Sequence, residues 1–156
     1  MNDQPLEIKA GIQVLKPVHE VFEAIVDPLK MSNYFISESS GRMEENKELE
    51  WKFPEFDMVV NVKTGKIITD QYVSYYWDGA KGHKLLVEMT LTERGTGKTL
   101  VSISEKSMPH NEDGIKWLKQ NTEGWANFLA CLKAYLEYGI NLRKGAFEFM
   151  SDQSPE

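Results

Sequence analysis

The side chains best suited to metal binding are three histidines and a single cysteine, and their spacing argues against a metal site. His19 is predicted at an exposed helix start, and His83 and His110 are predicted in loops. No His-x3-His or Cys-x2-Cys pair occurs, although metal sites are typically built from such pairs. We therefore expect surface histidines, no bound metal and no cofactor.

Nucleophilic chemistry has equally little support. The sequence has no Gly-x-Ser-x-Gly elbow. Cys131 lies at the margin of the apolar face of a predicted helix, where a buried and inert thiol is expected. Gly95 and Gly97 join two predicted strands and no helix follows them, so they indicate a hairpin turn rather than a phosphate loop.

Three polar residues fall on faces that are otherwise apolar. Asn121 lies about 40° from Trp125 on a helical wheel, inside the apolar arc. Glu105 is in register with inward-facing Ile103 on a predicted strand, and Tyr75 carries a hydroxyl that needs a partner if it is buried. A few polar groups that converge in an apolar pocket are typical of a small-molecule site. An equal alternative places Glu105 in solvent at the end of its strand.

The candidate binding site consists of these polar residues and the apolar residues expected to face them. At period two, aromatic and aliphatic side chains of the strands point toward the helix, and the helix presents its apolar face to them. Buried aromatic side chains usually serve packing, so a core without a ligand is the main alternative. The full set is Trp51, Phe53, Tyr75, Trp77, Val87, Met89, Val101, Ile103, Glu105, Asn121, Trp125, Phe128, Leu129 and Leu132.

The elements that would position this set are mostly strands. Apolar and polar residues alternate along several segments, which is typical of strands with one buried face. Asp78-Gly79 and Lys81-Gly82 are turn signals, and Arg94 to Gly97 indicates a hairpin. The predicted strands are Leu6 to Val14, Leu49 to Phe53, Met58 to Ile67 or Ile68, Tyr72 to Trp77, Leu85 to Leu91 and Thr99 to Glu105.

Helical periodicity predicts one long helix near the end of the chain and two short ones. The long helix starts after Asp113 or Gly114 and stops at Gly139, a length of roughly 24 residues or about 36 Å. Gly124, at the edge of its apolar face, predicts close packing against a strand or loop. The first short helix is Val18 to Val26, and after the Asp27-Pro28 break Leu29 to Phe35 forms a second short helix or a turn.

Composition indicates an acidic chain with one domain. The 156 residues carry a net charge of -6. An acidic balance without a Lys/Arg cluster argues against nucleic acid as a partner, and no apolar run is long enough to span a membrane. A single cysteine and the lack of a signal peptide favour the cytoplasm. We expect a monomer or a homodimer. We expect one domain over residues 1–150 and a flexible tail over 151–156.

These elements predict an α+β fold. Consecutive strands with short connections form an antiparallel meander. A curved sheet of about six to seven strands around the long helix is the economical way to bury both apolar faces. Such a sheet cannot contact the helix evenly along its length, so we expect a cavity between them.

Three stretches carry a family resemblance, namely Ile12 to Pro28, Leu85 to Val101 and Gly124 to Gly139. They resemble the homologues of the activator of heat-shock-protein-90 ATPase, within the START-like (SRPBCC or Bet v 1-like) superfamily. Gly124-Trp125 with the Tyr-Leu-Glu ending is the most specific part. A departure is the stretch from Ser32 to Phe35, where family members often place a tryptophan. The resemblance implies the helix-grip fold but no single reaction.

Three functions remain open on these grounds. The first is non-enzymatic binding of an apolar or amphipathic small molecule between sheet and helix. The second is a protein-interaction module of the chaperone-activator type, with a role in the stress response. The third is a cyclase- or hydrolase-like enzyme with Glu105 as its cavity acid. For the second, a basic partner would meet the acidic residues Glu44, Glu45, Glu48, Glu50 and Glu55.

Overall fold

Seven strands and three α-helices make up the part of the chain that the computed structural model describes, residues 4–80 and 82–152. The strands are β1 (Leu6–Val14), β2 (Glu38–Ser39), β3 (Glu48–Lys52), β4 (Val59–Ile68), β5 (Tyr72–Ala80), β6 (His83–Glu93) and β7 (Thr99–Met108). The helices are α1 (Val18–Val26), α2 (Pro28–Met31) and α3 (Glu112–Tyr138), and a 3-10 helix covers Glu148–Asp152.

All strands belong to one antiparallel sheet with the order β1-β7-β6-β5-β4-β3-β2. Neighbours from β2 to β7 follow one another in sequence, as a meander requires. The first strand, β1, pairs with the last, so that Ile8 lies opposite Glu105 and Val14 lies opposite Thr99. With α3 packed on this sheet, the predicted α+β helix-grip fold is confirmed. The two-residue strand β2 was not predicted.

One face of the sheet is apolar and faces α3. On β6, Val87 and Met89 are at most 2% exposed, whereas the intervening Glu88 is only partly buried. This alternation follows from the period-two geometry of a strand. Two predicted strands are shorter than expected, because Phe53 follows β3 and Met58, 61% exposed, precedes β4.

Helix α3 begins and ends at residues suited to those positions. The side-chain oxygen of Asn111 accepts a hydrogen bond from the N–H of Gly114 at 2.9 Å. Glu112 and Asp113 add negative charge to the first turn, which the helix dipole favours. Gly139 ends the helix with φ of 65°, a left-handed conformation that glycine adopts without strain. Because Asn111 is the cap, α3 has 27 residues and starts earlier than predicted.

The chain beyond α3 forms turns before the 3-10 helix. The Ile140 N–H donates to the Ala134 carbonyl oxygen at 3.3 Å, which directs the chain away from the helix axis. The tail predicted from Ser151 falls largely outside the described residues, and the 3-10 helix extends to Asp152.

The close packing predicted for Gly124 is wrong. Gly124 is exposed, and a Cβ added there would meet nothing within 4 Å, because the residue lies beyond the edge of the buried face. The close approach on α3 occurs at Gly114 instead. A Cβ there would lie 1.9 Å from the carbonyl oxygen of Pro109.

These two glycines give a paired test of the packing of α3. Gly124→Ala is expected to raise the free energy of unfolding by about 1 kcal/mol, because alanine is the better helix former. Gly114→Ala is expected to lower it by about 2 kcal/mol or more, because the new methyl group overlaps with backbone. Urea denaturation of both variants measures the difference. Equal effects of the two substitutions would contradict the packing described at Gly114.

Candidate functional site

Glu105 lies at the centre of the inner face of the sheet, and its side chain is completely buried. Strand β7 places it between Ile8 of β1 and Val87 of β6. Its exposed fraction is 0%. The alternative that it reaches solvent at the strand end is wrong, because β7 continues to Met108 and α3 covers this face.

Three side chains from β5 and α3 donate hydrogen bonds to the Glu105 carboxylate. Trp77 Nε1 donates to Oε2 at 2.8 Å, and Trp125 Nε1 donates to Oε1 at 2.9 Å. Asn121 Nδ2 donates to Oε1 at 3.2 Å and to the carbonyl oxygen of Gly79 at 3.2 Å. The carboxylate of Glu105 therefore connects β7 to both β5 and α3.

The three donors to Glu105 are all neutral groups. Moving a carboxylate out of water is costly unless hydrogen bonds replace those to water. Indole nitrogens can only donate, so Trp77 and Trp125 match the acceptor character of an ionised carboxylate. We name Glu105, Trp77, Trp125 and Asn121 the carboxylate centre.

Gly79 makes room for the carboxylate centre. A Cβ at Gly79 would lie 2.1 Å from Glu105 Oε2 and 2.9 Å from Trp77 Nε1. The sequence signal Asp78-Gly79 suggested a turn, but both residues lie within β5, where the pairing with β6 is irregular between Trp77 and Ala80. This glycine therefore serves close packing inside the sheet.

Aromatic rings surround the carboxylate centre. The ring centroids of Trp77 and Trp125 are 5.7 Å apart, and those of Trp51 and Tyr75 are 5.2 Å apart. Many pairs meet edge to face, the arrangement that the ring quadrupoles favour. We name the whole group the aromatic cluster; it consists of Tyr34, Phe35, Trp51, Phe53, Tyr75, Trp77, Trp125, Phe128 and Tyr135.

Two buried donors in the aromatic cluster have no hydrogen-bond partner among the described residues. They are the indole N–H of Trp51 and the hydroxyl of Tyr75. Burial raises the pKa of Tyr75 well above its usual value, and the negative charge of Glu105 raises it further, so the phenol stays protonated. A buried donor without a partner costs about 1–3 kcal/mol. An acceptor brought to these donors would recover that cost.

The structure brings the predicted site residues together around α3. Phe53, Trp77 and Asn121 are partly buried. Whether any of the set contacts a ligand stays a prediction. Those that are at most 4% exposed are Trp51, Tyr75, Val87, Met89, Val101, Ile103, Glu105, Trp125, Phe128, Leu129 and Leu132.

Sequence reasoning missed Tyr34, Phe35 and Gly79. The hydroxyl of Tyr34 donates to the Ala24 carbonyl oxygen at 2.8 Å, and the ring of Phe35 lies 4.7 Å from that of Phe128. The available signal was the pair of aromatic residues after the Asp27-Pro28 break. The short segment predicted there did not indicate which way the two rings point. In the structure, α2 ends at Met31, so both residues follow the helix.

The other candidates for chemistry lie apart from this site. His19 Nδ1 pairs with Asp70 at 2.8 Å on the surface. Cys131 is 2% exposed, and burial raises the pKa of its thiol, which favours the unreactive protonated form. Within residues 4–80 and 82–152, no group of three or more His, Cys, Asp or Glu side chains could hold a metal ion. In the same ranges, no helix has the length and apolar character needed to cross a membrane.

The predicted acidic surface loses one of its members. Glu55 is only 8% exposed, and both of its carboxylate oxygens accept hydrogen bonds from Arg143. Glu44 pairs with Lys47. Fewer carboxylates are therefore available to a basic partner than the sequence suggested.

Fold and site together define a START-like domain, in which a long C-terminal helix packs on an antiparallel sheet around a buried aromatic cluster. The sequence model of the family described as Activator of Hsp90 ATPase homolog 1-like protein matches residues 16–137. The chain belongs to this family, which confirms the resemblance inferred from the sequence.

Several solved structures have a similar fold. Protein SSP2350 from Staphylococcus saprophyticus is 30% identical, with a TM-score of 0.76 over 86% of this chain and 94% of that one. The Aha1 dimer from Colwellia psychrerythraea is 18% identical, with a TM-score of 0.72 over 86% of this chain and 98% of that one. PFC0360w, an HSP90 activator from Plasmodium falciparum, is 14% identical, with a TM-score of 0.68 over 84% of this chain and 96% of that one. No match emerged among curated protein sequences.

The carboxylate centre predicts a cost for Glu105→Gln. The glutamine NH2 group would face an indole donor, so the free energy of unfolding should fall by about 1–3 kcal/mol. Glu7→Gln, at an exposed position of β1, is the matched control and should stay within about 0.5 kcal/mol of the original protein. Urea denaturation measures both. Unchanged stability of Glu105→Gln would show that the carboxylate does not hold the three donors.

Proposed function

We propose that this domain binds a small apolar or amphipathic molecule in the aromatic cluster between the sheet and α3, without catalysing a reaction. Three buried donors lack a partner among the described residues, and the observation that carries this proposal is that two of them, the Trp51 indole N–H and the Tyr75 hydroxyl, lie together in the aromatic cluster, whereas the third, the indole N–H of Trp117, lies outside it. Most pockets for small molecules combine an apolar lining with a few such polar groups. The rings would supply burial, and the two donors would orient the ligand.

The two donors indicate the chemistry of the polar end of the ligand. Trp51 can only donate a hydrogen bond, so the ligand atom that it meets must be an acceptor. Burial, and after it the negative charge of Glu105, raise the pKa of Tyr75, and the same charge would repel an anionic ligand. A neutral acceptor such as a carbonyl or ether oxygen on an apolar body fits both conditions.

Binding would require movement of side chains in the aromatic cluster. Trp51 and Tyr75 are at most 1% exposed, so their neighbours cover them. Two grooves of about 570 and 490 Å³ are lined mainly by polar residues, and neither is lined by Trp51 or Tyr75, although Trp77 lines the second. A ligand would therefore enter a site that opens rather than one that is already open.

The test of this proposal is a pair of substitutions that remove a donor: Tyr75→Phe keeps the ring, and Trp51→Phe replaces the indole by a smaller aromatic ring. Compounds with a carbonyl oxygen on an aromatic body are first screened by native mass spectrometry. For a compound that binds, Tyr75→Phe and Trp51→Phe should each weaken affinity about fivefold or more, since a hydrogen bond is worth about 1 kcal/mol. Without ligand, Tyr75→Phe should be as stable as the original protein or more stable by about 1 kcal/mol, because an unpaired hydroxyl is removed.

Tyr76→Phe is the matched control for these substitutions. Tyr76 follows Tyr75 on β5 but lies on the outer face and is 40% exposed. Its substitution should change neither ligand affinity nor stability by more than about 0.5 kcal/mol. If no compound binds, or if Tyr75→Phe binds as well as Tyr76→Phe, the proposed role of the two donors fails.

A second candidate function is contact with a chaperone, and the family match over residues 16–137 favours it. It does not depend on the buried donors. A titration of an Hsp90-type chaperone with this protein, followed by ATPase rate, separates the candidates. If the protein stimulates the ATPase and Tyr75→Phe stimulates it equally, the result would support the interaction module and not the ligand site.

The enzyme candidate has less support from the site. A catalytic acid must come within about 3 Å of the reacting group. The carboxylate oxygens of Glu105 already accept three hydrogen bonds, and the side chain is 0% exposed. A substrate would have to displace Trp77, Trp125 or Asn121 to reach it.

A further inference from the structure

We propose that residues 140–150, which we name the strap, are a lid over the aromatic cluster, and that the ion pair between Arg143 and Glu55 is the latch that keeps it closed. The proposal rests on the ligand-binding function proposed above and adds how that site is opened. The family match ends at residue 137, so the strap lies outside the matched part of the chain.

Few side chains of the strap are buried. Of its residues, only Arg143 and Phe147 are partly buried, and all the others are exposed. Its exposed members include large apolar residues, namely Ile140 at 53%, Leu142 at 50%, Phe149 at 60% and Met150 at 41%. Segments with so few buried contacts open at a lower free-energy cost than the core of a domain.

The latch joins the strap to the connection between β3 and β4. Arg143 Nε donates to Glu55 Oε2 at 3.0 Å, and Nη2 donates to Oε1 at 2.8 Å. The two side chains are 15% and 3% exposed. A bidentate pair this enclosed is geometrically specific, and removing one partner leaves a buried charge behind. Loss of either residue should therefore release the strap.

The guanidinium of Arg143 lies against rings that lead to the ligand site. Its central carbon is 5.1 Å from the ring centroid of Phe147, 5.7 Å from that of Phe53 and 6.0 Å from that of Phe35. Such contacts between a cation and aromatic rings add to the stability of the closed position. The ring of Phe35 in turn lies 5.6 Å from that of Trp51, whose indole N–H has no partner. Phe35 is thus the link between latch and site.

Opening the strap would leave the main elements intact. The strap starts after Gly139, the residue that caps the end of α3, and none of its residues belongs to the sheet. Its removal from Phe35 and Phe53 would free these two rings on their outer side. A ligand could then reach Trp51 and Tyr75 without breaking a strand pairing or a turn of α3.

Hydrogen exchange of the indole N–H groups, measured by NMR without ligand, tests the lid directly. In Arg143→Met, the exchange of Trp51 and Trp125 is expected to become at least about tenfold faster, because the closed state is less populated. Trp117 should keep its rate, because it lies about 30 Å along α3 from the end of that helix. Glu55→Gln breaks the latch from the other side and should give the same pattern.

Arg42→Met is the matched control, because Arg42 forms a similar bidentate pair with Glu23 on the surface. It should leave all three indole rates unchanged. Unchanged rates for Trp51 and Trp125 in both latch variants would overturn the lid. Equal acceleration of all three indoles would also overturn it, since the ion pair would then stabilise the whole domain.

Ligand entry is measured separately with Nile red, a neutral dye with a carbonyl oxygen. Its association rate by stopped flow should rise at least about fivefold in Arg143→Met and stay constant in Arg42→Met. Equal association rates in Arg143→Met and Arg42→Met would contradict the proposal that the strap controls ligand entry. Failure of the dye to bind any variant would count against the proposed function, whereas the exchange rates would still decide whether the strap opens.

Discussion

The need of one buried carboxylate for hydrogen-bond donors shapes the interior of this domain. Glu105 lies on β7 among apolar neighbours, where an ionised group is stable only if donors surround it. Trp77 from β5 and Trp125 and Asn121 from α3 supply them. Gly79 leaves the space that the carboxylate occupies. A single side chain thereby links β7 to both β5 and α3, and the indole rings of its two tryptophan donors belong to the aromatic cluster around it.

The same cluster contains polar groups with hydrogen-bond partners and polar groups without them. The first kind has a structural explanation, and the second kind is the basis of the proposed function. The indoles of Trp77 and Trp125 are satisfied by Glu105, which explains their presence by stability alone. Trp51 and Tyr75 have no such explanation, because their donors lower stability as long as they lack a partner. A buried polar group without a partner calls for an explanation, and the explanation that we propose for these two is a ligand. Membership of the activator family does not decide between ligand and chaperone, since one fold supports many functions.

Local signals in the sequence predicted the elements well, because each depends on neighbouring residues. Period-two alternation located Leu85 to Leu91, and Gly139 marked the end of α3. Glu105 and Asn121 were placed on the correct faces by register alone. Contacts between distant segments could not be predicted in this way. Glu55 was assigned to an acidic surface because its partner Arg143 lies 88 residues further along. Gly79 was assigned to a turn because its close approach to Glu105 depends on the pairing of three strands.

The central claim is that the unpaired donors of Trp51 and Tyr75 receive a ligand. It is tested most directly by the ¹⁵N-indole NMR signals of the four tryptophans during titration with a neutral aromatic carbonyl compound that binds the protein. A hydrogen bond to a new acceptor should move the Trp51 indole proton downfield, and the signal of Trp117 should stay in place. A bound compound that leaves the Trp51 signal unchanged would contradict the account.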